Sequence, residues 1–444
     1  MSRAGDNGGA WRLAGLWQRG GSLLLVGINQ VTMLGFGVVT VLLLTHLVTP
    51  EEYGVYVVLM TLAQLGLQVS HMGWFNFAAR VWTVAEDRHA GVLRFLAWTG
   101  LRRLPVLAGL VTLGLVTWAL WQGNPKALLW LPAVLLITVV WTLHGTVGVM
   151  LNAERRNGWV LVLGVWAAMF RTFLPALAVV VLGVSVGHLL LGLTLAACLA
   201  LLGVGWVAWR VFGEAARRPG SEQARWRGEL RQFDLTSPLL GLAMWLMEGV
   251  DRWLLVGRRG AEGGEFALAF VLGLMAFTLV AGIILQAGFP VVYRRIDEAR
   301  TAADRDGLVQ LCDRMLVGYL GLGALAVLVL TYLGPFLTRV GLIGADFAGA
   351  WVWLWPAASA AAFPRLLQFH GQIFSGLRRL RPMLPVTWGL AGAKAIFGLL
   401  ALLHSVEAFA LVLLLSTPVA ALIGRWHLVR CYRALVAADA TVAR

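Results

Sequence analysis

The sequence predicts an all-α protein that crosses a membrane about twelve times, and three observations predict it. The 444 residues are 59% hydrophobic and only 13% charged, more apolar surface than a water-soluble core of this size can hide. The apolar residues come in continuous runs of about 20, the length of a membrane-spanning helix; a membrane barrel would show short strands alternating polar with apolar residues. The formal charge of +14 falls in the segments between runs, where it sets orientation and meets anionic lipid headgroups. That placement argues against a nucleic-acid partner.

Helices are expected over 22–48, 55–78, 95–121, 128–151, 159–182, 188–212, 233–256, 267–292, 313–333, 348–374, 383–404 and 407–429. The tenth holds Pro356 and Pro364, so a kink is expected there. The segment before the first run has no apolar region or cleavage site of its own, so the first span reads as an uncleaved signal. Of the 36 Lys and Arg residues, only Lys126, Arg258, Arg259 and Arg339 lie in one set of loops, and four more lie inside spans. All the others fall in the opposite set and at the two ends. This asymmetry puts both termini in the cytoplasm of a multi-pass inner-membrane protein. The outward loops, such as Thr49 to Gly54 and Gln122 to Ala127, are too short for a folded catalytic or receptor domain. The basic inward loop around Trp226 reads as topology-setting, with an interfacial helix as the alternative. Cys198, Cys312 and Cys431 are far apart and show neither metal spacing nor a disulfide framework. No nucleophile elbow, metal cluster or phosphate-cradling glycine loop appears, so neither catalysis nor a cofactor is expected.

The halves echo each other. Glu52-Tyr53-Gly54-Val55-Tyr56 precedes one span and Glu262-Gly263-Gly264-Glu265-Phe266 another, which matches Gly54 with Gly264 and Tyr56 with Phe266. Arg155-Arg156 aligns with Arg378-Arg379, and the same register puts Arg171 on Lys394. A parallel repeat follows: an N-terminal lobe over 1–215, a basic linker over 216–232 and a C-terminal lobe over 233–444. Transporters built this way hold substrate between the halves near the midplane.

A charge in mid-membrane costs about 2.5–3.5 kcal/mol on insertion scales, and this chain keeps several. Arg171 and Lys394 each sit roughly 20 Å in from the cytoplasmic edge at ~1.5 Å per residue, with no acid nearby on their own helices. They are expected to face one shared aqueous cavity. Glu248, Asp251 and Arg252 share one helix face. Either Glu248 pairs with Arg252 as structure alone, or Glu248 and Asp251 hold a coupling cation or proton. Asp251 and Arg252 are expected near the outer surface, and Arg365 at the cytoplasmic entrance. Asn29 and Arg80 are weaker candidates, since polar residues in spans more often bond neighbouring helices.

The stretch LTHLVTPEEYGVY, Leu44 to Tyr56, resembles the first hairpin of the polysaccharide transporter family, the O-antigen (Wzx-type) flippases. DRWLLVGRRGAEGGEFALAF, Asp251 to Phe270, resembles that family's second such hairpin. Leu151 to Arg171 and Gly344 to Arg378 also fit, so the likeness is diffuse but runs through most of the chain. It implies the multidrug/oligosaccharidyl-lipid/polysaccharide exporter fold, two six-helix lobes around a central cavity. It also implies transfer of an undecaprenyl-pyrophosphate-linked oligosaccharide between leaflets for O-antigen, capsule or exopolysaccharide synthesis, alongside polysaccharide assembly proteins. On that reading Arg171, Lys394, Arg365, Arg252, Asn29 and Arg80 contact the substrate. The rivals are a cation-coupled drug or ion antiporter of the same fold, which should show an acidic cavity, and a non-transporting scaffold for glycan assembly. A glycan polymerase or ligase should bring a large outward loop with catalytic side chains.

Overall fold

The computed structural model describes residues 8–70, 78, 82, 90–154, 156–217, 236–298, 302–377 and 379–442. Arg80, Arg155, Arg378 and all of the expected linker from residue 218 onward lie outside the described residues. The first lobe contains α1 (Gly8–Leu47), α2 (Pro50–Ser70), α3 (Ala90–Gln122), α4 (Leu131–Ala153), α5 (Asn157–Leu182) and α6 (Val186–Arg217). The second contains α7 (Thr236–Arg259), α8 (Ala261–Glu298), α9 (Ala302–Arg339), α10 (Leu354–Ala362), α11 (Leu366–Gly376), α12 (Met383–His404) and α13 (Val406–Val442). Among the described residues, 10 helical stretches are long and apolar enough to cross a membrane. The charged α7 and the broken pair α10–α11 complete twelve crossings.

Local chemistry explains where the helices begin and break. At Thr49-Pro50-Glu51-Glu52, the Glu52 amide donates to Thr49 Oγ1 (3.4 Å) and the Thr49 amide donates to Glu52 Oε2 (3.4 Å). This is a capping box with proline in the first turn, where its missing N–H costs nothing. It starts α2 at Pro50 rather than at 55, because the cap lies outside the apolar run. Gly260, at φ 46°, takes a left-handed turn that L residues rarely adopt and lets α8 follow α7 directly. The expected kink in the tenth crossing falls at Pro364, inside the 3-10 turn Phe363–Arg365 that separates α10 from α11. Pro356 lies in the first turn of α10 and does not break it.

The packing repeats. In the first lobe α1 packs on α5, α2 on α4, and α6 on both α4 and α5. In the second, α7 packs on α12, α8 on α10, and α13 on both α10 and α12. Each contact has its counterpart six crossings later. The lobes join along a seam in which α2 lies against α7 and α8. Of the apolar window of α2, 72% is buried, against 11% for that of α1, so α2 is the central helix and α1 a peripheral one. Gly54 and Gly264, the matched glycines, meet at this seam. A Cβ on Gly54 would lie 3.0 Å from the Gly264 Cα, and a Cβ on Gly264 would run into the Pro50 carbonyl. Trp245 Nε1–H donates to the Thr61 carbonyl farther along the seam (2.6 Å). At the end carrying the short loops, the Tyr53 and Phe347 rings meet edge to face with centroids 5.5 Å apart.

Gly264→Ala must push two backbones apart and is expected to destabilise the fold by about 1–3 kcal/mol. Gly282→Ala lies on the same helix with nothing within 4 Å of its added Cβ and should leave stability unchanged or slightly raised. Thermal unfolding of the two purified variants checks the contrast.

Candidate functional site

The structure gathers the charged candidates into two separate places. The first is a cavity of about 150 Å³ inside the N-terminal lobe, lined among others by Met33, Gln64, Trp141, His144 and Arg171. Arg171 projects from the middle of α5 and its side chain is exposed. Its guanidinium lies 6.0 Å from the centroid of the Trp141 ring, and no carboxylate pairs with it among the described residues. Small residues on α5 and α6 (Gly164, Ala167, Ala168, Ala196, Ala197) leave the space open. Next to Arg171, the Thr172 and Thr40 hydroxyls share a hydrogen bond of 2.8 Å, which fixes α1 against α5.

Asn29 belongs to the same place. It lies one turn before Met33 on α1, and its Oδ1 is buried without a hydrogen-bond partner. A Cβ on Gly164 would sit 3.0 Å from that oxygen, so the bare glycine is what lets α1 and α5 approach there. His144 Nε2 lies 3.4 Å from the Leu163 carbonyl. The sequence reading passed over Gln64 and His144. Their signal is weak but present: each is a single polar side chain in an apolar run, and Gln64 lies one turn from Gln68 on the same helix face.

The second place is the core where α7, α10 and α12 meet. The Lys394 ammonium forms an ion pair with Asp251 Oδ2 (2.5 Å), and both side chains are fully buried. It also donates to the main-chain oxygens of Met247 (2.5 Å) and Ala360 (3.4 Å) and lies 4.8 Å from the centroid of the Phe363 ring. The Ala360 oxygen is available for a reason. A helix would pair it with the N–H four residues on, and that residue is Pro364, which has none.

This corrects the expectation of one cavity shared by Arg171 and Lys394. Lys394 is neutralised by an acid from another helix and walled off from water, which satisfies a buried ion as solvent would. Asp251 and Arg252 are buried too, at 0% and 3% exposure, and not near an outer surface. Arg252 does not pair with the carboxylate of Glu248 as the spacing suggested. It donates to the main-chain oxygen of Glu248 (2.8 Å) and lies over the Phe270 ring at 4.1 Å. The Glu248 carboxylate instead accepts from Gln68 Nε2 across the seam (3.1 Å). Arg365 is half-buried and donates to Thr278 Oγ1 (3.2 Å), bound to its neighbour α8 within the C-terminal lobe. Arg80 lies outside the described residues. No group of three or more metal-ligating side chains occurs among the described residues.

No protein-family model matches the sequence, and no curated protein matches it. Solved structures do match. The lipid II flippase MurJ in an inward closed conformation superposes with a TM-score of 0.64 at 11% identity, over 93% of this chain and 87% of that one. An inward-facing multidrug-resistance MATE family transporter of the MOP superfamily gives 0.57 at 13% identity, over 93% and 99%. A MATE in the straight conformation gives 0.51 at 15% identity, over 92% and 96%. At such identities the likeness is one of fold. This chain is a multi-pass membrane protein built, as these transporters are, from two six-helix lobes.

Asp251→Asn leaves the Lys394 charge buried without its counter-ion and is expected to cost about 3–5 kcal/mol. Asp251→Asn combined with Lys394→Met removes both charges and should recover most of that loss. Thermal unfolding midpoints of the two variants decide it.

Proposed function

We propose that this chain is a flippase. It moves an undecaprenyl-pyrophosphate-linked oligosaccharide across the inner membrane for the synthesis of a surface polysaccharide. The observation that carries this reading is Arg171, an arginine in mid-membrane with no carboxylate partner among the described residues, facing a cavity. A pyrophosphate is costly to move through hydrocarbon, and a guanidinium facing a cavity offsets that cost with a planar, bidentate grip. The orphaned Asn29 oxygen, against Gly164 of the same cavity wall, suits a sugar hydroxyl or an amide, because a buried acceptor needs a donor. Gln64 supplies a further polar side chain on the opposite wall.

The fold supports transport, since the solved structures that share it include a lipid II flippase and multidrug transporters. Between those two activities the acids discriminate. A carrier of cationic drugs needs a carboxylate open to its cavity. Here Asp251 is held by Lys394 and Glu248 by Gln68, while the group that faces the N-terminal cavity is a base. On this reading the basic loops keep both termini on the cytoplasmic side, where a lipid-linked glycan is assembled before transfer.

Arg171→Ala is expected to lower export of the lipid-linked glycan while the protein reaches the membrane at a normal level, since loss of a mid-membrane charge favours insertion. The lost contact corresponds to about tenfold or more in apparent affinity. Arg171→Lys should keep part of the activity, because the charge survives without the fork. Glycan accumulation at the cell surface measures both, and full export by Arg171→Ala would exclude this role. A reporter fused after Arg444 should be active only in a cytoplasmic form, and periplasmic activity would reverse the assigned orientation.

A further inference from the structure

The surroundings of the Lys394 ammonium are those of a bound monovalent cation. An ammonium has three N–H donors; the Met247 and Ala360 carbonyls accept from it, and Asp251 Oδ2 stands against it as the ion-pair partner. The Phe363 ring closes a fourth side at 4.8 Å, as an aromatic face does for a desolvated cation. The cage does not exist merely to pair a lysine. The Ala360 carbonyl is freed by Pro364, and both carboxylate oxygens of Asp251 are buried with no hydrogen-bond partner, so the set holds more oxygen ligands than an ion pair uses. All of them come from α7 and α10, whereas the ammonium reaches in from α12.

We propose that α7 and α10 form a site for a small monovalent cation, and that Lys394 fills it permanently with a tethered ammonium. The cage supplies one carboxylate charge and two carbonyl dipoles at a place closed to solvent, which suits potassium, sodium or ammonium better than a divalent ion. The tether makes the local concentration of cation independent of the solution. In the intact protein this site therefore takes up no cation from outside, and removal of the lysine side chain opens it.

The test is made on the purified full chain, with thermal unfolding as the readout, so its outcome is independent of any assignment of substrate. Wild type and Lys394→Ala are compared in chloride salts of ammonium, potassium, sodium and N-methylglucamine at equal ionic strength. Wild type is expected to show the same midpoint in all four. Lys394→Ala is expected to unfold several degrees lower in N-methylglucamine and to recover with ammonium, potassium or sodium in a saturable way, as ligand linkage requires. Adding Asp251→Asn to Lys394→Ala should abolish the recovery. Three results would overturn the site: a Lys394→Ala midpoint that is the same in all four salts, a recovery that persists in the double variant, or failure of Lys394→Ala to accumulate in cells, whose potassium should fill the vacated cage.

Discussion

The ion pair between Lys394 and Asp251 decides where α7 must lie. A helix that carries Glu248, Asp251 and Arg252 on neighbouring turns cannot face hydrocarbon, which solvates none of them. It is stable only when other helices supply oxygens, amides and rings on every side. The packing does this: α12 brings the counter-ion, α2 brings Gln68 to Glu248, and α8 brings the Phe270 ring to Arg252. The position of α7 in turn draws α2 inward, which explains why the second crossing is the most enclosed of the long apolar helices while the first lies at the periphery.

Much of this was legible in the sequence, because the strongest signals were one-dimensional. Run length gave the crossings, and Gly54 with Gly264 gave the register of the repeat. The cap at Thr49 to Glu52 was hidden: the stretch reads as a loop before an apolar run, and only its hydrogen bonds show that α2 already begins at Pro50. The fate of the charged residues was not legible. Arg171 and Lys394 occupy matched positions and look alike as letters, but what separates them lies across space. Lys394 meets an acid from a helix more than 140 residues away, and Arg171 meets none among the described residues. Helix spacing also misled at Glu248 and Arg252, because a main-chain oxygen competed for the guanidinium and won.

The repeat thus keeps its architecture while its two halves diverge in chemistry. One lobe uses its mid-membrane base to stiffen a core, with the Pro364 break contributing a carbonyl to that end. The other leaves its base facing an open space lined with glycine and alanine. Small residues there do for the cavity what Asp251 does for the core: they determine whether the charge is spent on the protein or left for a visitor. A third polar knot, in which Asp313 accepts from Arg425 Nε (2.7 Å) and lies 3.0 Å from His370 Nε2, ties α9, α11 and α13 together.

The contact of Gly54 with Gly264 has a mechanical consequence. Where backbones touch with no side chain between them, the distance between the lobes is fixed by main-chain atoms alone. The 21 residues of α2 run on from that point for about 30 Å at ~1.5 Å per residue. Farther along the same seam, Trp245 bonds the Thr61 carbonyl and Gln68 bonds Glu248. A change in the angle between the lobes that left the glycines in contact would have to break those two hydrogen bonds first.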